Sequence, residues 1–367
     1  VRDARVDSLA RILVHYSTGV GEGETCLIEG PSAGEPLIAA IYEEVLKAGG
    51  HPVVAVSTEG QAATFFKHAS DAQLDWVSPL AEWAADASDC RIGIGAETNT
   101  RELSGVPPQR QSRRRKATRH LMEKTLRRDA EGTHRWVYTL FPTNGYAADA
   151  EMSLAEFEDF YYRACLADDP DPLGAWQRAS EECKRLADWA QGHEEVRVTA
   201  PGTELKLGIA GRTFVPADGK RNMPDGEFFT APVEDSVEGE VSFHLPAMVG
   251  GREVAGVRLR FESGKVVDAG AERGEEYLIS LLDTDEGARR LGELGIGTNY
   301  GIDRGTRDVL LDEKIGGTVH MAVGASYPEC GGKNESAVHT DLVCDLRRGG
   351  RIELDGKPFQ EDGRFLV

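Results

Sequence analysis

Cysteine is scarce and scattered. The six thiols, at positions 26, 90, 165, 183, 330 and 344, form no C-x-x-C pair, which disfavours a zinc ribbon. In a chain of 367 residues they read as reduced thiols and not as a disulfide scaffold. Long apolar runs are missing too: no stretch reaches the ~18 uninterrupted apolar residues that would span a bilayer. The opening residues, VRDARVDSLA, carry no basic-then-apolar secretion pattern, so a cytoplasmic protein without a membrane partner is expected. Positive charge is in deficit, with 42 Lys and Arg against 62 Asp and Glu and a net charge of −20. Such a field repels phosphate backbones and argues against nucleic-acid binding, while it suits metal cations and protonated amines. Heptads and short-period repeats are absent. What remains, 40% apolar and 28% charged, is a globular composition with length for two domains.

Two halves differ in pattern. Up to Gly192, apolar β-type runs alternate with helical ones. Strands are expected at 25–29, 52–56, 90–95 and 136–141, and helices at 35–48, 76–87, 154–165 and 173–191. The order strand, helix, Gly49-Gly50, strand is a βαβ unit and implies a parallel sheet. From residue 193 the period becomes two, with Gly-bounded turns. Strands are expected at 196–199, 204–209, 239–245, 254–261, 265–269, 317–323, 337–343 and 351–354, with helical character at 274–282 and 284–290. The fold class expected is α/β: a Rossmann-like α/β domain over 1–192, then a largely antiparallel, β-rich metal-binding domain over 193–367.

The sharpest local signal is Val338-His339-Thr340-Asp341-Leu342-Val343. In a strand, residues i and i+2 share a face, so His339 and Asp341 point the same way and can chelate a dication. By itself an H-x-D pair is more often a surface hydrogen bond. His320 lies on a second apolar strand, in GTVHMAVG, where a satisfied core histidine is the plainer reading. Glu227 precedes an apolar pair in DGEFFTAP, and Glu293 is enclosed by small and apolar residues in LGELGIG. A carboxylate in that setting is costly unless paired. Two such acids with two histidines and an aspartate are better explained by metal than by separate structural roles.

These segments resemble the aminopeptidase T/S family of dinuclear metalloaminopeptidases, the thermophilic aminopeptidase type. The resemblance covers most of the chain. It is most specific at NMPDGEFFTAPVEDSVE (222–238) and the final HTD, with further likeness at 28–54, including AGGHPVV, and at TNTRELSGVPP (98–108). It implies that Glu227, Glu293, His320, His339 and Asp341 hold two divalent cations (Zn, Co, Mn or Mg), with Glu313 near another ligand carboxylate. It places Tyr327 at an active-site tyrosine and makes Glu293, Glu313 and Tyr327 the catalytic candidates. It further implies a homodimer acting on short peptides with a free N-terminal amine, through a water activated by two metals. The alternative is a mononuclear ferrous ring-cleaving dioxygenase of the related dihydroxypyridine type, with His320, His339 and Asp341 as its triad. Retention of both Glu227 and Glu293 favours two metals. A non-enzymatic metal- or peptide-binding protein is the third reading, and the complete ligand set argues against it.

Other signals are weaker. Arg113-Arg114-Arg115-Lys116 has no interleaved aromatics and reads as a solvated helix face or subunit contact. The GVGEG run at 19–23 precedes its strand, so the dinucleotide-loop context fails. His15, His51, His68, His120, His134, His193 and His244 lack comparable partners and read as surface or capping residues. The five tryptophans read as packing groups.

Overall fold

The computed structural model describes residues 2–249 and 251–367. The chain packs as two compact units. One comprises the residues up to Trp176 together with Gly219–Met223, and the other comprises Gln177–Asp218 and Pro224–Val367.

The first unit is built on a parallel sheet in the order His51–Ser57, Thr25–Pro31, Cys90–Gly95, Arg135–Leu140, Asn222–Met223. The helix Glu35–Lys47 buries Leu37, Ile38, Ile41 and Val45 on one stripe, as its spacing predicts. Gly49, at φ +82°, ends it in a conformation that side chains avoid. The last, two-residue strand is tied in by Tyr161. Its hydroxyl donates to Met223 O (3.1 Å) and accepts from Leu140 N (2.8 Å).

Two expectations are modified here. The helical run from Trp76 begins only at Pro79, because Ser78 caps Pro79–Ala87 by accepting from Leu80 N, and proline fits the first helical position. Trp76 is left in the preceding link, 60% exposed. The basic run lies in a 23-residue helix, Pro108–Ala130, that buries no side chain. Its arginines hold neighbouring backbone and acids: Arg113 pairs with Asp71 and Asp75, and Arg114 donates to Leu74 O. A solvated helix face describes it well.

The second unit holds two antiparallel sheets and a short hairpin, Ala247–Val249 with Arg252–Val254. The larger sheet runs Lys265–Gly270, Arg258–Glu262, Glu238–Ser242, Thr203–Gly208, Glu195–Ala200, Arg351–Leu354, Lys357–Glu361, Arg364–Phe365. The smaller runs His339–Asp345, Thr318–Gly324, Leu291–Gly297, Glu227–Thr230, Val215–Ala217. The expected 254–261 strand is interrupted by Gly256 at φ +62°. Residues 284–290 are turns where a helix was expected. There the Asp285 carboxylate accepts from Ala288 N, Ser336 Oγ and Ala337 N, an arrangement that competes with helical bonding. Among the described residues no helix is long and apolar enough to cross a membrane. All six cysteines are buried free thiols. The fold is therefore α/β, with a parallel sheet in one unit and antiparallel sheets in the other.

Candidate metal centre

The smaller sheet of the second unit has one apolar and one polar face. Leu294, Ile296, Val319, Met321, Val323, Leu342, Cys344 and Phe228 all belong to a single buried core. Their alternates on the same strands are Glu293, Gly295 and Gly297, His320, Ala322 and Gly324, His339, Asp341 and Val343, and Glu227. Period-two geometry thus gathers every acid and imidazole on the face opposite the core. The register completes the convergence. Glu293 and Asp341 both lie opposite Ala322, Gly295 opposite His320, and Gly297 opposite Glu227. A bulge between Leu291 and Glu293 shifts the ladder by one residue, which aims the Glu293 side chain to this face.

The small residues between these side chains leave them room. A Cβ on Gly295 would stand 2.0 Å from Cε1 and 2.1 Å from Nε2 of His320, so the imidazole lies directly against that glycine. The strand Leu291–Gly297 is buried at all seven positions. It was not among the expected strands, because its three glycines read as turn, although here Gly295 makes room for the His320 imidazole.

The six sequence-assigned metal residues come together. His320 Nε2 lies 3.2 Å from Glu227 Oε2 and 3.6 Å from Glu293 Oε1. His339 Nε2 lies 3.2 Å from Glu293 Oε2 and 3.7 Å from Asp341 Oδ1. Two triads each place their ligand atoms within 4.8 Å of one another: Glu293, His339 and Asp341, and Glu313, His320 and Asp341. Asp341 belongs to both. His339 Nδ1 donates to Ala325 O at 2.9 Å, which leaves Nε2 as the atom presented to the site. Tyr327 stands at the rim, 39% exposed. Its hydroxyl is 3.5 Å from His339 Nε2, and its ring packs on Phe229.

The sequence pattern alone assigns no role to Asp225 or Lys314. Both are buried beside the ligands, with Lys314 Nζ 3.2 Å from Glu227 Oε1, 3.8 Å from Asp225 Oδ1 and paired with Glu313. A lone lysine between apolar runs, LLDEKIGG, was the available signal. Of the two readings of His134, surface or capping, its 2% exposure in the first unit rules out the first, and its bond to the carbonyl of the helix cap Ser88 agrees with the second.

The electrostatics are those of a crowded acidic cradle. Burial pushes the Glu227 carboxyl up to about 8 against the pull of Lys314. It also pushes Asp341 up to about 6, with Glu313 and Glu293 adding to the effect. Burial opposes ionisation of Glu293 as well, but hydrogen bonds from His320 and His339 prevail and hold it down at about 2. For the two imidazoles burial favours the neutral form. The surrounding carboxylates outweigh it, raising His320 to about 10 and His339 to about 9. Partial burial beside Glu293 and Asp341 keeps the Tyr327 phenol above its usual range, hence protonated. Glu227 Oε2, His320 Nδ1 and Asp341 Oδ1 are buried without a hydrogen-bond partner among the described residues. Buried nitrogen and carboxylate donors in excess of their hydrogen-bond partners are the donor set of a dication such as zinc, cobalt or manganese, and the residues present fit one.

The chain is similar to known metallopeptidases over nearly its whole length. The family model described as thermophilic metalloprotease (M29) matches residues 2–365. Aminopeptidase T of Thermus thermophilus is 27% identical, over 98% of this chain and 95% of its own. Aminopeptidase 2 of Geobacillus stearothermophilus is 26% identical, with 97% and 95% covered. Among solved structures, wild-type AmpT from Thermus thermophilus superposes with a TM-score of 0.87 at 27% identity, covering 99% of each chain. A 2,5-dihydroxypyridine dioxygenase from Pseudomonas putida gives a TM-score of 0.60 at 15% identity, covering 100% of this chain and 98% of that one, a likeness of fold alone.

Proposed function

The chain belongs to the thermophilic metalloprotease family, and from that premise we propose that it is an aminopeptidase, removing the N-terminal residue of short peptides at a site for two dications. The observation that carries the two-ion reading is Asp341, whose carboxylate belongs to both ligand triads and can be shared between neighbouring cations. Glu227, Glu293 and Glu313 supply the remaining carboxylates, and His320 and His339 the nitrogens. Dications held there would polarise the scissile carbonyl and make water a nucleophile near neutral pH.

The chain's own groups account for the rest. Glu293 or Glu313 takes the attacking water's proton and returns it to the leaving amine. The protonated Tyr327 hydroxyl donates to the oxyanion that develops on the carbonyl. The acidic cradle receives a protonated α-amine, which restricts cleavage to the first residue. The dioxygenase alternative has support in fold only, and both Glu227 and Glu293 crowd a single-ion triad with acids it does not use.

A homodimer and a cytoplasmic location belong to the same reading. They are supported by the family resemblance, by exposed Leu80 and Trp83 on one helix and Met122 and Leu126 on its neighbour, and by thiols kept free. Light scattering tests the first.

The catalytic assignment is tested by a panel of aminoacyl amides assayed after loading with Zn²⁺, Co²⁺ or Mn²⁺. Cleavage is expected and should disappear with chelator. Glu293→Gln should keep the wild-type circular dichroism and lose about 10²–10⁴-fold in kcat/KM. Unchanged turnover by that variant would remove Glu293 from the chemistry, and no turnover by the loaded wild type on any amide would end the aminopeptidase reading.

A further inference from the structure

Among the described residues Lys314 is the one lysine or arginine that meets the site with no exposed side-chain surface. Its ammonium meets Asp225, Glu227 and Glu313. Glu227 divides its two oxygens between partners: Oε1 faces Lys314, and Oε2 faces His320 and the ligand cluster. Whatever Lys314 does therefore reaches the cations through a ligand carboxylate.

We propose that Lys314 is a positioning residue serving as the resident countercharge of the cation site, stabilising the cradle when empty and restraining its hold on dications when filled. This deepens the two-dication reading and rests on it. Five carboxylates meet in the cradle: Asp225, Glu227, Glu293, Glu313 and Asp341. The lysine reduces their formal charge to minus four, which two dications cancel with both imidazoles neutral. Without Lys314 the empty cradle would hold its crowded carboxylates with one countercharge fewer, a costly arrangement, whereas in the filled cradle two dications already supply four positive charges. A compact ammonium with three donors suits three separate carboxylates, where a planar guanidinium would favour two parallel bonds to one. The same positive charge, about 3 Å from a ligand oxygen, repels an arriving cation, so its removal should tighten dication binding.

The test uses the full chain, stripped with chelator and titrated with Mn²⁺, in wild type, Lys314→Met and Lys314→Met/Glu227→Gln, followed by thermal unfolding and calorimetric titration. Stripped Lys314→Met is expected to unfold well below stripped wild type. Saturating Mn²⁺ should close most of that gap, and the Mn²⁺ Kd should fall roughly tenfold. The double variant should recover stripped-state stability, because both members of the buried pair are gone. If Lys314→Met cannot fold when stripped, recovery by the double variant upholds the proposal. An equal loss with and without Mn²⁺, weaker Mn²⁺ binding, or a double variant no better than the single would overturn it. Wild type that takes up no dication would instead defeat the metal-site reading, and the stripped-state comparison would still judge Lys314.

Discussion

At the scale of single residues, Gly295 is the tightest point of the site. Its missing side chain is occupied by the His320 imidazole, which a methyl group would meet at 2.0 Å. Neither the strand nor the ring has room to retreat, because both neighbours of the ladder are buried. Gly295→Ala should therefore displace His320, cost roughly 1–3 kcal/mol in stability as an overpacked core site does, and reduce metal content. Elemental analysis and urea unfolding check it, and a variant with full metal content and native stability would contradict the packing argument. His320 also shows what was legible beforehand. Its residue type and apolar strand were visible, and so was the oddity of an acid in LGELGIG. That the glycine two places beyond Glu293 is a seat for His320 depends on cross-strand register. Register joins positions far apart in the chain, and no local pattern encodes it. Lys314 was missed for a related reason, since a lysine among apolar residues gains meaning only once its three acidic neighbours are known.

At the scale of elements, the helix Pro79–Ala87 and the strand Arg135–Leu140 are joined by a buried histidine. His134 Nδ1 donates to the carbonyl of Ser88, the C-terminal cap of that helix, at 3.0 Å. Burial lowers its pKa from 6.5, against the opposing effect of the Ser88 bond. The sign follows from linkage. The folded state holds the neutral ring, so its stabilising contribution is complete above 6.5 and declines as pH falls from 6.5 through the lowered folded value. Urea midpoints of the wild type should thus drop between pH 7.5 and 5.5. His134→Gln should start lower and show a shallower dependence. Parallel pH profiles for the two proteins would refute the assignment. The strands and the 35–47 helix were readable because each declares its period in its own residues. Residues 284–290 misled because apolar spacing there resembles a helix, whereas Asp285 spends its carboxylate on backbone donors at 288 and 337.

At the scale of the whole molecule, the two-dication reading makes the cradle a source of stability as well as chemistry. Ligands that bind only the folded chain stabilise it by mass action, about 2.7 kcal/mol per site at a hundredfold excess over Kd. Stripping with chelator should therefore lower the unfolding midpoint of the second unit by several degrees, reversibly on re-addition of Mn²⁺ or Zn²⁺. Calorimetry resolves this from the first unit, and a midpoint indifferent to chelator would show that the cradle holds no ion in the folded protein.

Fold class, the alternation of apolar and polar faces, and the residue types of the candidate ligands were readable in the sequence alone, because periodicity and residue type are local properties. Tertiary structure decided the rest: which acids face one another, the bulge that turns Glu293, the glycine that seats His320, and the lysine buried among carboxylates. Those depend on strand order and register, which couple segments more than a hundred residues apart, from Glu227 to Asp341, and exist only once the sheet has closed.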